Sequence, residues 1–134
     1  MRERINQKIF RAKEYLANIE QLAPACSEKF HTDFVYRGAL LHYLYLMADS
    51  CISLAEMVIK QHGLRPPQSY TEAFDILGEA NVLDPEFARS FSKIAGFRNF
   101  LAHDYETVDA EVICGNILTD LSDVYVFIQK IESL

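Results

Sequence analysis

Between two stretches of helical pattern lies a segment that reads neither as core nor as ordinary solvated helix: Gly96-Phe97-Arg98-Asn99-Phe100-Leu101-Ala102-His103-Asp104-Tyr105. Arg98, Asn99, His103, Asp104 and Tyr105 fall within eight consecutive positions. A guanidinium is a planar, permanently charged fork matched to phosphate oxygens. An imidazole gives and takes a proton near neutral pH. Together they meet the minimum for metal-free cleavage of a ribose phosphodiester. One group removes the 2′-hydroxyl proton and the other stabilises negative charge on the five-coordinate phosphorus. Residue types alone leave a structural alternative open, because a histidine at a helix end also serves as a cap favoured by the helix dipole.

Geometry constrains this chemistry. Five residues at about 100° each put Arg98 and His103 roughly 140° apart on an unbroken helix. They meet at one phosphate only if the helix breaks between them or a second chain completes the site. Asn99 and His103 are four apart and share a face. A two-fold dimer joining two copies of the segment gathers two arginines and two histidines in one cleft. Lys93 and Arg89, one turn apart just upstream, extend that patch toward an RNA backbone, although each singly also reads as solvated surface charge. Asp49 lies inside an apolar run. It either orients Arg98 or His103, or simply meets another arginine or a helix end.

The elements that must position these residues are helical nearly throughout. Ile5, Ile9, Ala12, Leu16 and Ile19 form one stripe on a first helix ending near Pro24. A second helix is expected from about His31 to Gln61. It carries two stripes, one through Phe34, Leu41, Tyr45, Ala48 and Ile52, the other through Leu40, Leu44, Met47, Cys51 and Leu54. A helix apolar on two sides is surrounded by neighbours, which makes this one central. His62, Gly63 and Pro66-Pro67 end it. Ser69-Tyr70-Thr71-Glu72 is a capping box opening a short helix that Asn81 closes. Asp84-Pro85 opens a fourth, with Phe87, Phe91 and Ile94 inward and Arg98 to follow. Asp109 caps a last helix whose inward residues run from Ile113 to Ile131. The expected fold is all-α, an up-and-down helical bundle of four long helices plus one short helix, in a single domain spanning residues 1–134.

Composition agrees and excludes several classes. Half of the 134 residues are hydrophobic and 24% are charged, which is inconsistent with intrinsic disorder. The balance of 13 basic and 19 acidic side chains gives −6, so nucleic acid is not coated through global charge. Cys26, Cys51 and Cys114 are far apart and odd in number, so reduced thiols are expected rather than a disulfide framework or zinc knuckle. His31 and His42 lack partners at metal spacing, and no metal or cofactor is expected. The charged N-terminus has no apolar signal segment, and the apolar run Gly38–Ala48 is too short to span a bilayer. A soluble cytoplasmic domain with no membrane partner is the expectation.

Arg98-Asn99-Phe100-Leu101-Ala102-His103-Asp104-Tyr105 resembles the Arg-x4-His-x-Tyr motif of the HepT family within the HEPN superfamily, all-helical ribonuclease toxins of prokaryotic toxin–antitoxin modules. Gly63-Leu64-Arg65-Pro66-Pro67-Gln68-Ser69-Tyr70, followed by Glu72, Phe74 and Leu77, resembles the family's Pro-x-Ser-Tyr helix start. The resemblance implies a HEPN-like fold, with Arg98 and His103 as the catalytic pair of a metal-independent endoribonuclease. Its substrate would be tRNA or mRNA, not DNA, and its product would carry a cyclic phosphate. It further implies a homodimer with the motifs at the interface and a small nucleotidyltransferase antitoxin, MntA, that silences the toxin by moving AMP to Tyr105. Added negative charge two residues from His103 competes with a substrate phosphate for Arg98. The competing reading is a non-catalytic subunit that binds a nucleotide, or presents a substrate, to such a transferase.

Overall fold

The computed structural model describes residues 1–134 apart from Tyr105. The first helix, α1 (Arg2–Leu22), buries Ile5, Ile9, Ala12, Leu16 and Ile19 as its spacing demands. A single 3-10 turn at Ala23–Ala25 absorbs Pro24 and leads into the short α2 (Cys26–Lys29). The central helix, α3 (Phe34–Gln61), starts later than expected. Asp33 caps it, its carboxylate accepting from the Val35 amide at 3.1 Å and the Tyr36 amide at 3.0 Å. The first residue of its expected stripe, Phe34, is 75% exposed rather than buried.

α3 packs on α1, α4, α6 and α7 and buries Leu40, Leu44, Met47, Cys51, Leu54 and Val58. Gly63, with φ of 66°, closes it, and the Leu64 amide reaches back to the Ile59 carbonyl at 3.0 Å. The run Gly38–Ala48 is only part of this element. With 28 residues and a window of mean hydropathy 1.2, α3 is long and apolar enough to cross a membrane by length and composition. Its apolarity has another origin here, since 56% of that window is buried inside the bundle.

The next helix, α4 (Tyr70–Glu79), is capped by Ser69, whose hydroxyl accepts from the Glu72 amide at 3.0 Å. The Glu72 carboxylate reaches one residue further back than a standard box, accepting from the Gln68 amide at 2.9 Å. Arg65 adds ion pairs at 3.2 Å to Glu72 and 3.1 Å to Glu79, which tie the preceding loop to α4. Asn81, with φ of 58°, ends the helix in the left-handed region. Gly78 lets α4 approach its successor closely, since a β-carbon there would lie 2.9 Å from that of Ala88.

The expected fourth helix is divided in two: α5 (Pro85–Phe91) and α6 (Ile94–His103). At the break the Ser92 hydroxyl donates to the Arg89 carbonyl at 2.7 Å, competing with the helical ladder. The expected last helix is divided too. Asp109 accepts from the Glu111 amide at 2.9 Å, but a π-helical turn at Val112–Ile117 follows, and α7 begins only at Ser122 and runs to Glu132. Gly115 and Asn116 favour helix weakly, and the Thr119 hydroxyl takes the Gly115 carbonyl at 2.7 Å. The bundle is therefore all-helical as expected, with α1 and α3 long and the remaining length cut into shorter pieces. Phe74, Phe91 and Phe127 close its core, with ring centroids 4.9 to 5.8 Å apart.

The cysteines depart from expectation. Cys26 and Cys114, 88 residues apart in sequence, form a disulfide with α-carbons 5.6 Å apart, and Cys51 is free and buried. Spacing in sequence carries no signal of this pair because packing alone brings α2 against the π-helical turn.

Candidate active site

Helix α6 is pinned by Ile94, Ala95 and Leu101, all buried, and it is continuous from Ile94 to His103. The first way of joining Arg98 to His103 within one chain, a break between them, is therefore absent. The two side chains leave the helix about 140° apart.

Arg98 is turned toward α3 and is largely enclosed, with 17% of its side chain exposed. Its Nε donates to Asp49 Oδ1 at 3.1 Å, its Nη2 to the Tyr45 hydroxyl at 3.1 Å and its Nη1 to Asn99 Oδ1 at 3.2 Å. Tyr45 and Asp49 are one turn apart on α3 and so share a face. The guanidinium carbon also lies 5.2 Å from the Tyr45 ring centre and 5.1 Å from that of Tyr70. Tyr70 is the first residue of α4, aimed by the Ser69 cap. Three helices thus converge on one cation. Burial pulls the Arg98 pKa down, but the Asp49 hydrogen bond and the facing charges outweigh it and hold the group above its ordinary value. Three of the five guanidinium N–H groups are engaged, which leaves two for a ligand.

Asp49 and Asn99 therefore stand where a supporting role requires, and it is Arg98, not His103, that they hold. His103 is exposed in the last turn of α6, with no side-chain hydrogen bond or ion pair among the described residues. Asp104 is exposed at the helix end, and its carbonyl, not its carboxylate, accepts from Thr107. Lys93 and Arg89 are exposed but do not form the continuous stripe expected of one helix. The break at Ser92 separates them: Arg89 borders a hollow beside Gly78 and Asn81, Lys93 another beside Phe97 and Leu121. Tyr105, expected to accept AMP, lies outside the described residues.

An open groove of about 480 Å³ runs between α3 and α6, lined by Gly38, Leu41, His42, Tyr45, Leu101 and Ala102. It shares Tyr45 with the Arg98 cluster and reaches the residue before His103. His42, expected as an interior polar position, is exposed on this groove. Among the described residues no group of three or more His, Cys, Asp or Glu is placed to hold a metal ion.

The Ribonuclease HepT-like family model matches residues 12–131. The chain belongs to this family. An mRNA nuclease HepT from Shewanella oneidensis is 26% identical over 133 residues, 99% of each chain. A tRNA nuclease HepT from Aphanizomenon flos-aquae is 25% identical over 121 residues, covering 89% of this chain and 81% of the relative. Among solved structures, a tri-AMPylated HEPN toxin from Shewanella oneidensis, in complex with an MNT antitoxin, superposes with a TM-score of 0.86. That match has 25% identity and covers 97% of both chains. This HepT-like protein is thus an enzyme, a ribonuclease of the toxin–antitoxin kind, with the HEPN fold.

Within the HepT-like chain, Tyr45 and Tyr70 are the site residues that sequence reasoning passed over. Tyr45 reads as core because it lies in an apolar stripe, and Tyr70 reads only as part of a helix start. The available signal is the i, i+4 pairing of Tyr45 with Asp49, which places a ring beside the one carboxylate of that stretch.

Proposed function

We propose that this HepT-like protein is a metal-independent endoribonuclease whose working site joins Arg98 of one copy to His103 of another in a homodimer. The observation that carries the proposal is the unbroken α6, which holds Arg98 inward against α3 and leaves His103 exposed on a different side. Exposed apolar surface supports the second copy. Phe34 and Val35 are 75% and 65% exposed at the start of α3, and Phe34 is one turn from the groove residue Gly38.

In this reading His103 takes the proton of a ribose 2′-hydroxyl, and the freed oxygen attacks the adjacent phosphorus. The two uncommitted N–H groups of Arg98 bind the phosphoryl oxygens as charge builds on them. The bond from phosphorus to the 5′-oxygen breaks, that oxygen takes up the proton His103 had accepted, and a 2′,3′-cyclic phosphate remains. DNA lacks the nucleophile. The substrate is cytoplasmic tRNA or mRNA, with Lys93 and Arg89 as flanking phosphate contacts.

The partner is an MntA-like nucleotidyltransferase antitoxin. The Tyr105 oxygen attacks the α-phosphorus of ATP, pyrophosphate leaves, and the attached AMP sets an anion two residues from His103. The complex of the AMPylated Shewanella toxin with its antitoxin supports this part of the reading.

Complementation tests the composite site. Arg98→Ala and His103→Ala homodimers are each expected to be inactive on total RNA. After subunit exchange the mixture recovers roughly a quarter of wild-type activity, because half the dimers are mixed and each rebuilds one of two sites. Two dead homodimers whose mixture stays dead would overturn the composite site.

A further inference from the structure

The geometry points to Tyr45 and Tyr70 as positioning residues, an aromatic clamp that fixes the guanidinium of Arg98 in a single orientation for phosphate. The inference rests on the proposed catalytic role of Arg98 and adds to it two residues that act through its guanidinium.

A free arginine side chain samples many rotamers that a transition state must otherwise suppress. Here that ordering is done in advance. The Tyr45 and Tyr70 ring centres lie 5.2 and 5.1 Å from the guanidinium carbon, within cation–π range of it. Asp49 at 3.1 Å fixes the Nε edge, and the Tyr45 hydroxyl at 3.1 Å fixes Nη2. The plane of the fork is set, and its remaining N–H groups are presented in that plane, as bidentate phosphate recognition requires.

The two rings arrive by different routes. Tyr45 comes from the middle of α3, half-buried against the core on the wall of the groove. Tyr70 sits at the α4 start, where Ser69, Glu72 and Arg65 make a set of reciprocal bonds on an otherwise exposed turn. These bonds fix the start of a helix whose inner face is in the core, and with it the position of the Tyr70 ring. Tyr70 itself is 37% exposed, so it contributes little as core. Its hydroxyl makes no hydrogen bond among the described residues, which assigns its role to the ring. Tyr45 acts through both ring and hydroxyl.

The test is steady-state cleavage of bulk tRNA and of an in vitro mRNA transcript by the full-length protein. Arg98→Ala is run first: if it cuts either RNA at the wild-type rate, the catalytic reading of Arg98 falls, and the clamp with it. If Arg98→Ala is inactive, the tyrosine variants decide the clamp alone. Tyr70→Leu is expected to lower kcat about tenfold, the range of a desolvated cation–π contact, with KM and thermal midpoint nearly unchanged. Tyr70→Phe keeps at least half of kcat. Tyr45→Phe, which keeps the ring and loses the hydroxyl, lowers kcat several-fold, and Tyr45→Leu lowers it further. Three results would each overturn the clamp while leaving Arg98 in place: full kcat in both leucine variants, a loss confined to KM, or a Tyr70→Phe variant as poor as Tyr70→Leu.

Discussion

Arg98 and His103 share a helix of ten residues, and their surroundings are opposite. Around Arg98, helices α3 and α4 supply a carboxylate and two rings, and Asn99 supplies an amide oxygen. Around His103 there is solvent and a helix end. The difference follows from what each group must do. A guanidinium on a long flexible stem is useful only when its plane is fixed, and fixing it needs partners from several elements. An imidazole has two torsions and must exchange protons, so access matters more than enclosure. In the proposed site the chain finishes the anion-binding half by itself, and the dimer supplies the proton-transferring half.

Loss of function is the largest effect on either side of this contrast. In the proposed mechanism His103→Ala removes the general base and Arg98→Ala the charge that meets the phosphate, each expected to cost on the order of 10²- to 10⁴-fold in RNA cleavage. Equal toxicity of His103→Ala and the wild type in a growth assay would remove the proton-transferring half of the comparison altogether.

The segment after His103 depends on a covalent tie that the Arg98 cluster lacks. Reduction, or Cys114→Ser, is expected to cost roughly 2–4 kcal/mol of unfolding free energy, since the Cys26–Cys114 link closes a long loop. Thiol titration under denaturing conditions checks the link itself. One reactive thiol, Cys51, is expected before reduction and three after it. Three before reduction would dissolve the tie.

Stability separates the two catalytic candidates more finely. Arg98→Ala breaks two ring contacts and three hydrogen bonds and is expected to cost about 1–2 kcal/mol in urea unfolding. His103→Ala, at an exposed helix end, is expected to stay within about 0.5 kcal/mol of wild type. Equal losses in the two variants would erase the contrast in surroundings. A remote change acts on the same cluster: Ser69→Ala removes the α4 cap and is expected to cost about 1 kcal/mol in urea unfolding, while loosening the ring of Tyr70 above Arg98.

Much of the fold is legible in the amino-acid sequence. The α1 stripe follows the helical period, and the caps at Ser69 and Asp84 and the helix ends at Asn81 and Gly63 depend on bonds that close within a few residues. Such features are written in local order. The breaks at Ser92 and across Val112–Leu121 were not read, because a hydroxyl that diverts a backbone carbonyl changes no apolar period. Phe34 shows the converse. Periodicity assigned it to a face, and only the neighbours decide whether that face is covered. Of the proposed site, Arg98, His103, Asn99 and Asp49 are candidates on residue type and spacing, which leave structural readings open, and the family resemblance is what singles out Arg98 and His103. Tyr45 and Tyr70 are not legible in this way, since Tyr45 lies 53 residues from Arg98 in the chain and its contact is a product of packing.

The sequence by itself determined the helices, where most of them start, and the turn of about 140° that separates Arg98 from His103, because these follow from torsions and hydrogen bonds spanning a few residues. The tertiary structure alone decided that Arg98 is enclosed and His103 exposed, and that Cys26 meets Cys114. Those outcomes depend on how the helix faces pack together across the bundle, and apolar burial, which drives that packing, has no direction of its own.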